Sequence, residues 1–207
     1  MNQSTFIDAW YNPHRHQDSE LLKQLGFIPG LKELLMLRQV HALEHATVWV
    51  LSEMADRNYR RRQEGEKPDN DTLGGLSTDK GFYLYGQVNG EDLYRAVRRA
   101  LIRLQSGEWN LAIHPRCGTN VSVTLMVTAG LVLGAHIVLP RGPLSQLIGL
   151  GVAAGTALQI APDLGESAQK YLSTSIPFNL QVDEIGQKTD LWGRRGYFVG
   201  VKWQEAQ

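Results

Sequence analysis

The sequence predicts an α+β protein carrying a helical hairpin built to cross a membrane, and three observations carry that expectation. Two runs without a formal charge, residues 121–139 and 144–161, face each other across Pro140-Arg141-Gly142-Pro143. Ahead of them, apolar residues recur at helical spacing around an HxxEH string formed by His41, Glu44 and His45. Near the end, Tyr197, Val199, Val201 and Trp203 alternate with Phe198, Gly200 and Lys202, the period of a strand. The architecture that follows has four parts: a polar arm at 1–20, an α+β region at 21–118, a transmembrane helical hairpin at 119–165 and a C-terminal β-hairpin region at 166–207. The α+β region combines a buried metal-bearing helix with a small strand-helix-strand unit.

Composition narrows the function. The 207 residues hold 21 Lys+Arg against 21 Asp+Glu. No basic excess or stacking motif calls for nucleic acid, so none is expected as a partner. Cys117 is the only cysteine, which excludes an intrachain disulfide framework. The first twenty residues contain no apolar core of a cleavable signal peptide. A mean hydropathy of −0.26 is ordinary for a soluble protein, but it averages over a very uneven distribution.

Along the chain, the arm bears His14 and His16, read as solvated side chains. Helical pattern starts near Ser19 and breaks at Pro29-Gly30. A longer helix follows over about 31–57, apolar on nearly every side between Leu34 and Met54, which predicts burial. Residues 57–80, rich in Arg, Gly, Asn and Asp, read as a solvated loop; its arginines Arg57, Arg60, Arg61 and Arg62 suit either solvent or anionic lipid headgroups. Residues 81–88 read as a strand and 91–105 as an amphipathic helix with Leu93, Val97, Leu101 and Leu104 on one face. Leu111, Ala112 and Ile113 look like a short strand leading into His114-Pro115-Arg116-Cys117-Gly118-Thr119.

The first apolar run has nineteen residues. At the rise of an α-helix it spans roughly 28 Å, close to the hydrocarbon thickness of a bilayer. The prolines and glycine between the runs set a turn, and Pro162 is expected to end the second helix. Gly130 and Gly134 are four apart, as are Gly151 and Gly155; these pairs predict the face on which the two helices pack. His136, Gln146 and Gln159 are expected to find partners within the protein. Both ends of the hairpin then lie on one side with nearly all the Lys and Arg, which by the positive-inside tendency places both termini in the cytoplasm.

His41 and His45 sit one helical turn apart on a largely apolar face, with Glu44 beside them. Two imidazoles and a carboxylate in such surroundings need partners, and a divalent cation supplies one. HxxEH is also the inverted zinc-protease pattern, in which Glu44 is the catalytic base. His114 and Cys117, three apart on a turn, are a second pair of zinc-type donors. The expected metal ligands are therefore His41, His45, His114 and Cys117, and the expected cofactor is zinc.

The strings HALEHATVWVLSE, GFYLYGQV, LAIHPRCGTNVSV and YLSTS resemble an uncharacterised bacterial membrane-protein family, largely of photosynthetic bacteria, that is defined as a domain of unknown function. The likeness spans about residues 34–203. A broader group of bacterial membrane proteins pairs the same H-x-x-E-H helix with an H-P-R-C-G-T turn, matched here by His41, Glu44, His45, His114, Pro115, Cys117, Gly118 and Thr119. The resemblance implies a membrane setting and a shared site, and supplies no reaction. Three functions compete: a membrane protein stapled by a closed four-ligand zinc site, a membrane-embedded metal-dependent hydrolase or peptidase, and a metal-free accessory or assembly subunit. The lipid bilayer is the expected partner, with a membrane protein as a second; no substrate follows from the residues.

Overall fold

A computed structural model describes residues 13–56 and 69–205. Most of the polar arm and the arginine cluster at 57–62 lie outside them. The elements are α1 (Gln17–Leu25), α2 (Leu31–Ala55), β1 (Gly74–Thr78), β2 (Gly81–Tyr85), α3 (Gly90–Gln105), a 3-10 turn (Trp109–Ala112), α4 (Gly118–Val138), α5 (Pro143–Ala168), a π-helical turn (Gln169–Ser173), β3 (Leu180–Thr189) and β4 (Arg195–Trp203). They form two compact units, residues 1–113 with 174–207, and residues 114–173.

The first unit is a four-stranded antiparallel sheet, ordered β1-β2-β4-β3, packed against α2 and α3. Strand alternation sends Phe82 and Leu84 of β2, and Val199 and Val201 of β4, into a core shared with Leu43, Val50, Leu93, Val97 and Leu104 of the helices. The all-round apolar composition of α2 has the expected result: Val40, Ala42, Leu43, Ala46 and Val50 are almost wholly buried. The C-terminal hairpin is not an appendage, because β4 pairs with β2 as well as β3.

Two local readings are overturned. Residues 111–113 do not form a strand. Trp109–Ala112 closes a 3-10 turn, and the carbonyls of Ala112 and Ile113 accept hydrogen bonds from His45 and Trp49 instead of from a neighbouring strand. The 57–80 segment is not loop throughout, since β1 occupies its end. Gly75 is glycine because a Cβ there would collide with the Glu44 side chain, so the absent side chain lets α2 approach the strand.

A polar cluster anchors α1. The Gln39 amide donates to Asp18 at 2.5 Å, and Asn179 donates through its backbone N–H to Gln39 and through its side chain to Ser19. A second such knot holds the β3–β4 turn. The Asp190 carboxylate, with its side chain 1 % exposed, accepts from the Tyr85 hydroxyl at 2.6 Å, the backbone amides of Trp192 and Arg194, and the Arg194 guanidinium. Burial alone would raise its pKa from 3.8, but these donors outweigh it and hold the group at about 2. A carboxyl depressed in the fold stabilises it above its unfolded pKa and stops doing so as pH falls through the folded one. Wild-type protein is therefore expected to unfold at a higher temperature than Asp190→Asn at pH 5, and to lose that advantage as pH falls from 4 to 2. Thermal unfolding of both proteins across that window is the measurement; an unchanged gap at pH 2 would refute the assignment.

In the second unit, α4 and α5 form an antiparallel hairpin, and both are long and apolar enough to cross a membrane. No residue of α4 is fully buried, and Leu125, Met126, Leu133, Ile137, Leu147 and Leu158 are largely exposed. The packing seam differs from the expected one. It is the small-residue ladder Gly149, Ala153, Ala157, Ala161 and Gly165, the buried positions of α5. Gly130, Gly134, Gly151 and Gly155 have no atom within 4 Å of where a Cβ would stand, so they face away from the contact. A fourfold step recurs at both sets of positions, and which face turns inward is fixed elsewhere. Leu139 packs where Gly149 lacks a side chain, and Asn120 does so at Gly165.

Pro162 does not end α5, which runs on to Ala168. The missing amide hydrogen is tolerated because tertiary bonds hold the following turn: Gln169 donates to Asn120 at 2.7 Å. His136 and Gln146 do pair, at 2.9 Å, and Gln146 also donates to the Leu139 and Pro140 carbonyls. Gln159 is exposed, since two residues past Ala157 it stands about 200° around the helix from the seam.

Candidate metal centre

The first half of the centre is built on α2. His41 and His45 lie on one face with ring centroids 4.3 Å apart in an edge arrangement. His45 is 4 % exposed, and its Nδ1 is 2.7 Å from the Ala112 carbonyl. A carbonyl only accepts, so Nδ1 carries the proton and Nε2 is the acceptor nitrogen of the neutral ring. That is how an imidazole is oriented toward a cation. Trp49, one turn further along, donates from its indole to the Ile113 carbonyl at 2.9 Å. Two consecutive carbonyls are thereby pinned to α2 immediately before His114 in the chain.

Glu44 is buried beneath β1. Ser77 donates to its carboxylate at 2.5 Å, and Gly75 leaves room for it. Burial pushes its pKa above the usual carboxylate range, opposed by the Ser77 hydrogen bond and by His41. Its carboxylate is thus engaged by β1, in a segment whose composition predicts a solvated loop.

The second half is the turn entering α4. The Cys117 amide donates to the His114 carbonyl at 3.2 Å, and the Cys117 carbonyl accepts from the Asn120 amide. Cys117 is the N-cap of α4, and its Sγ accepts the Thr119 amide at 3.4 Å. The sulfur therefore stands where the helix dipole favours negative charge, the form in which a thiol ligates metal. His114 is buried. Its Nδ1 accepts from the Arg116 amide at 3.3 Å, and its own amide donates to the Gln169 side chain at 2.9 Å. Gln169, wholly buried, and Asn120, which also donates to the Pro115 carbonyl at 2.7 Å, frame this turn.

Of the five site residues expected from sequence, His41, Glu44 and His45 stand on α2 in the first unit, and His114 and Cys117 stand on the turn that opens the second. Each half offers zinc-type donors, two imidazoles in the first unit and an imidazole and a thiol in the second. The supporting residues Ser77, Gly75, Asn120 and Gln169 were not singled out from sequence.

Comparison with known proteins gives a family and a relative. The family described as Domain of unknown function (DUF6391) matches residues 36–185. An uncharacterized protein of Picosynechococcus sp. (strain ATCC 27264 / PCC 7002 / PR-6) is 56% identical over 200 residues, covering 96% of this chain and 95% of its own. No solved structure matches.

Proposed function

The chain belongs to the DUF6391 family, and we propose that it is an integral membrane protein with a zinc-type metal centre held by His41, His45 and Cys117. The observation that carries the metal reading is the pairing of His41 and His45 on one face of α2, the His45 ring oriented by a carbonyl, while the second unit seats the only thiol at a helix N-terminus. The membrane reading rests on α4 and α5. The 21 residues of α4 give it a length of about 31 Å, and the large apolar side chains that line it are exposed. In water such a surface far exceeds the few hundred Å² that soluble monomers leave uncovered. With Lys and Arg concentrated outside the hairpin, both termini face the cytoplasm.

A second reading, a metal-dependent hydrolase, draws on the count of three donors, which leaves a coordination position for a reacting water. In that reading Glu44 takes the proton from the water, and its raised pKa suits a general base. Its bond to Ser77 would then have to yield. Without metal, the chain reads as an accessory subunit of a membrane complex.

Two measurements test the proposal. Membranes washed with alkaline carbonate should retain the protein and detergent should release it; recovery of monodisperse protein without detergent would exclude the membrane reading. Elemental analysis of the detergent-purified chain should return about one zinc per chain. Substoichiometric metal that reconstitution does not raise would exclude the centre.

A further inference from the structure

The β3–β4 turn presents an unusual surface. Leu191 is 96% exposed, the highest value for any large apolar side chain among the described residues, and Trp192 beside it is 67% exposed. Single apolar residues at a surface are ordinary, but a loose turn would fold two adjacent ones back onto the protein. This turn is not loose. Four donors converge on the buried Asp190 carboxylate, Asp190 and Arg194 are bonded through their backbones, and Gly193 supplies the positive φ of 78° that closes the loop. The arrangement holds Leu191 and Trp192 outward.

With Asp190 buried, the exposed charges beside them are Arg194 and Arg195. Arg194 lies 4.5 Å from the Tyr85 ring and 5.3 Å from the Trp192 ring, and Arg195 follows. An open cavity of about 410 Å³ adjoins the turn, lined in part by Lys188, Thr189, Arg195 and Tyr197. An indole and a leucine on a rigid tip, flanked by arginines, match the chemistry of a bilayer surface, with an apolar boundary beneath phosphate headgroups.

We propose that the turn from Asp190 to Arg195 docks onto an anionic phospholipid surface, Leu191 and Trp192 entering the headgroup boundary while Arg194 and Arg195 meet lipid phosphates. The inference rests on the membrane reading above. Arg194 is shared, because it also braces Asp190. Arg195 is the cleaner probe, standing beside the knot and outside the metal centre.

The test uses the full chain in lipid nanodiscs that contain phosphatidylglycerol and phosphatidylcholine brominated near the top of its acyl chains. Trp192 is isolated as the difference in emission between wild type and Trp192→Phe. The expected result is a blue-shifted Trp192 signal that brominated lipid quenches. Replacing phosphatidylglycerol with neutral lipid should diminish the quenching. Arg195→Gln should lower the ratio of docked to undocked tip about fivefold, the equivalent of about 1 kcal/mol for one arginine at such a surface. Trp192 emission that is equal in brominated and unbrominated discs, with the protein retained in both, overturns the docking while leaving the membrane reading intact. Equal quenching with neutral and anionic discs overturns the role of charge. A chain that does not enter the discs overturns both readings.

Discussion

Replacing Cys117 with alanine is expected to lower zinc affinity by more than about 100-fold, and His41→Ala or His45→Ala should do the same. Removing a group that merely orients a ligand costs about 10–100-fold, and these three are the proposed ligands themselves. Cobalt exchange adds a readout specific to sulfur. Wild-type protein should show a thiolate-to-cobalt charge-transfer band, and Cys117→Ala should lack it even at cobalt concentrations that refill the site. His114→Ala separates the roles on the turn. Because the proposal leaves His114 outside the three ligands and its Nδ1 takes the Arg116 amide, that variant should retain metal with a less stable turn. Equal metal content in wild type and Cys117→Ala would exclude the thiol as a ligand. Glu44→Gln then divides the functional readings. Full metal with a lost reaction favours the hydrolase, whereas lost metal favours a carboxylate that supports the site through its neighbours.

The second large effect concerns the hairpin seam. Ala157 is wholly buried on the ladder that faces α4, so Ala157→Leu drives three extra carbons into a filled contact. Overpacking of this kind typically costs about 1–3 kcal/mol. Gly165→Leu should be at least as damaging, because Asn120 occupies the space and also frames the Cys117 turn. Gly130→Leu and Gly151→Leu, by contrast, should leave thermal stability in detergent nearly unchanged, since their faces are open. This order reverses the expectation raised by glycine spacing alone. Equal losses at positions 130 and 157 would refute the observed seam.

Which residues could be read from sequence follows from how local their causes are. The buried α2 declared itself because it is apolar on every side, and α3 because its apolar residues share one stripe. The two uncharged runs needed only a count of length and charge. His41 and His45 are brought together by helical spacing, and Cys117 stood out as the only thiol. The features missed depend on distant contacts. Gly75 and Ser77 have turn-like composition, and they form a strand because β2 pairs with them while Glu44 fills the gap that Gly75 leaves. Ala112 and Ile113 have strand-like side chains, but His45 and Trp49 take their carbonyls. Pro162 carries a strong stop signal, which bonds around Gln169 override. The choice between two small-residue ladders on α5 turns on Leu139 and Asn120, neither of which lies on that helix.

The pairing of β4 between β2 and β3 has a consequence for how the protein is made. β4, one of the two inner strands, is synthesised after the other three, some ninety residues after the chain has passed Ile113. At about 5–20 residues per second, α2 and β2 wait roughly 5–20 s with an apolar face and an open strand edge before their partner arrives. During that interval both apolar helices are synthesised, so on the proposed membrane reading the hairpin inserts before the sheet closes. Truncation before Arg195 should therefore leave a nascent chain already lodged in the bilayer but sensitive to protease ahead of Ile113, and protection should appear only when β4 is complete.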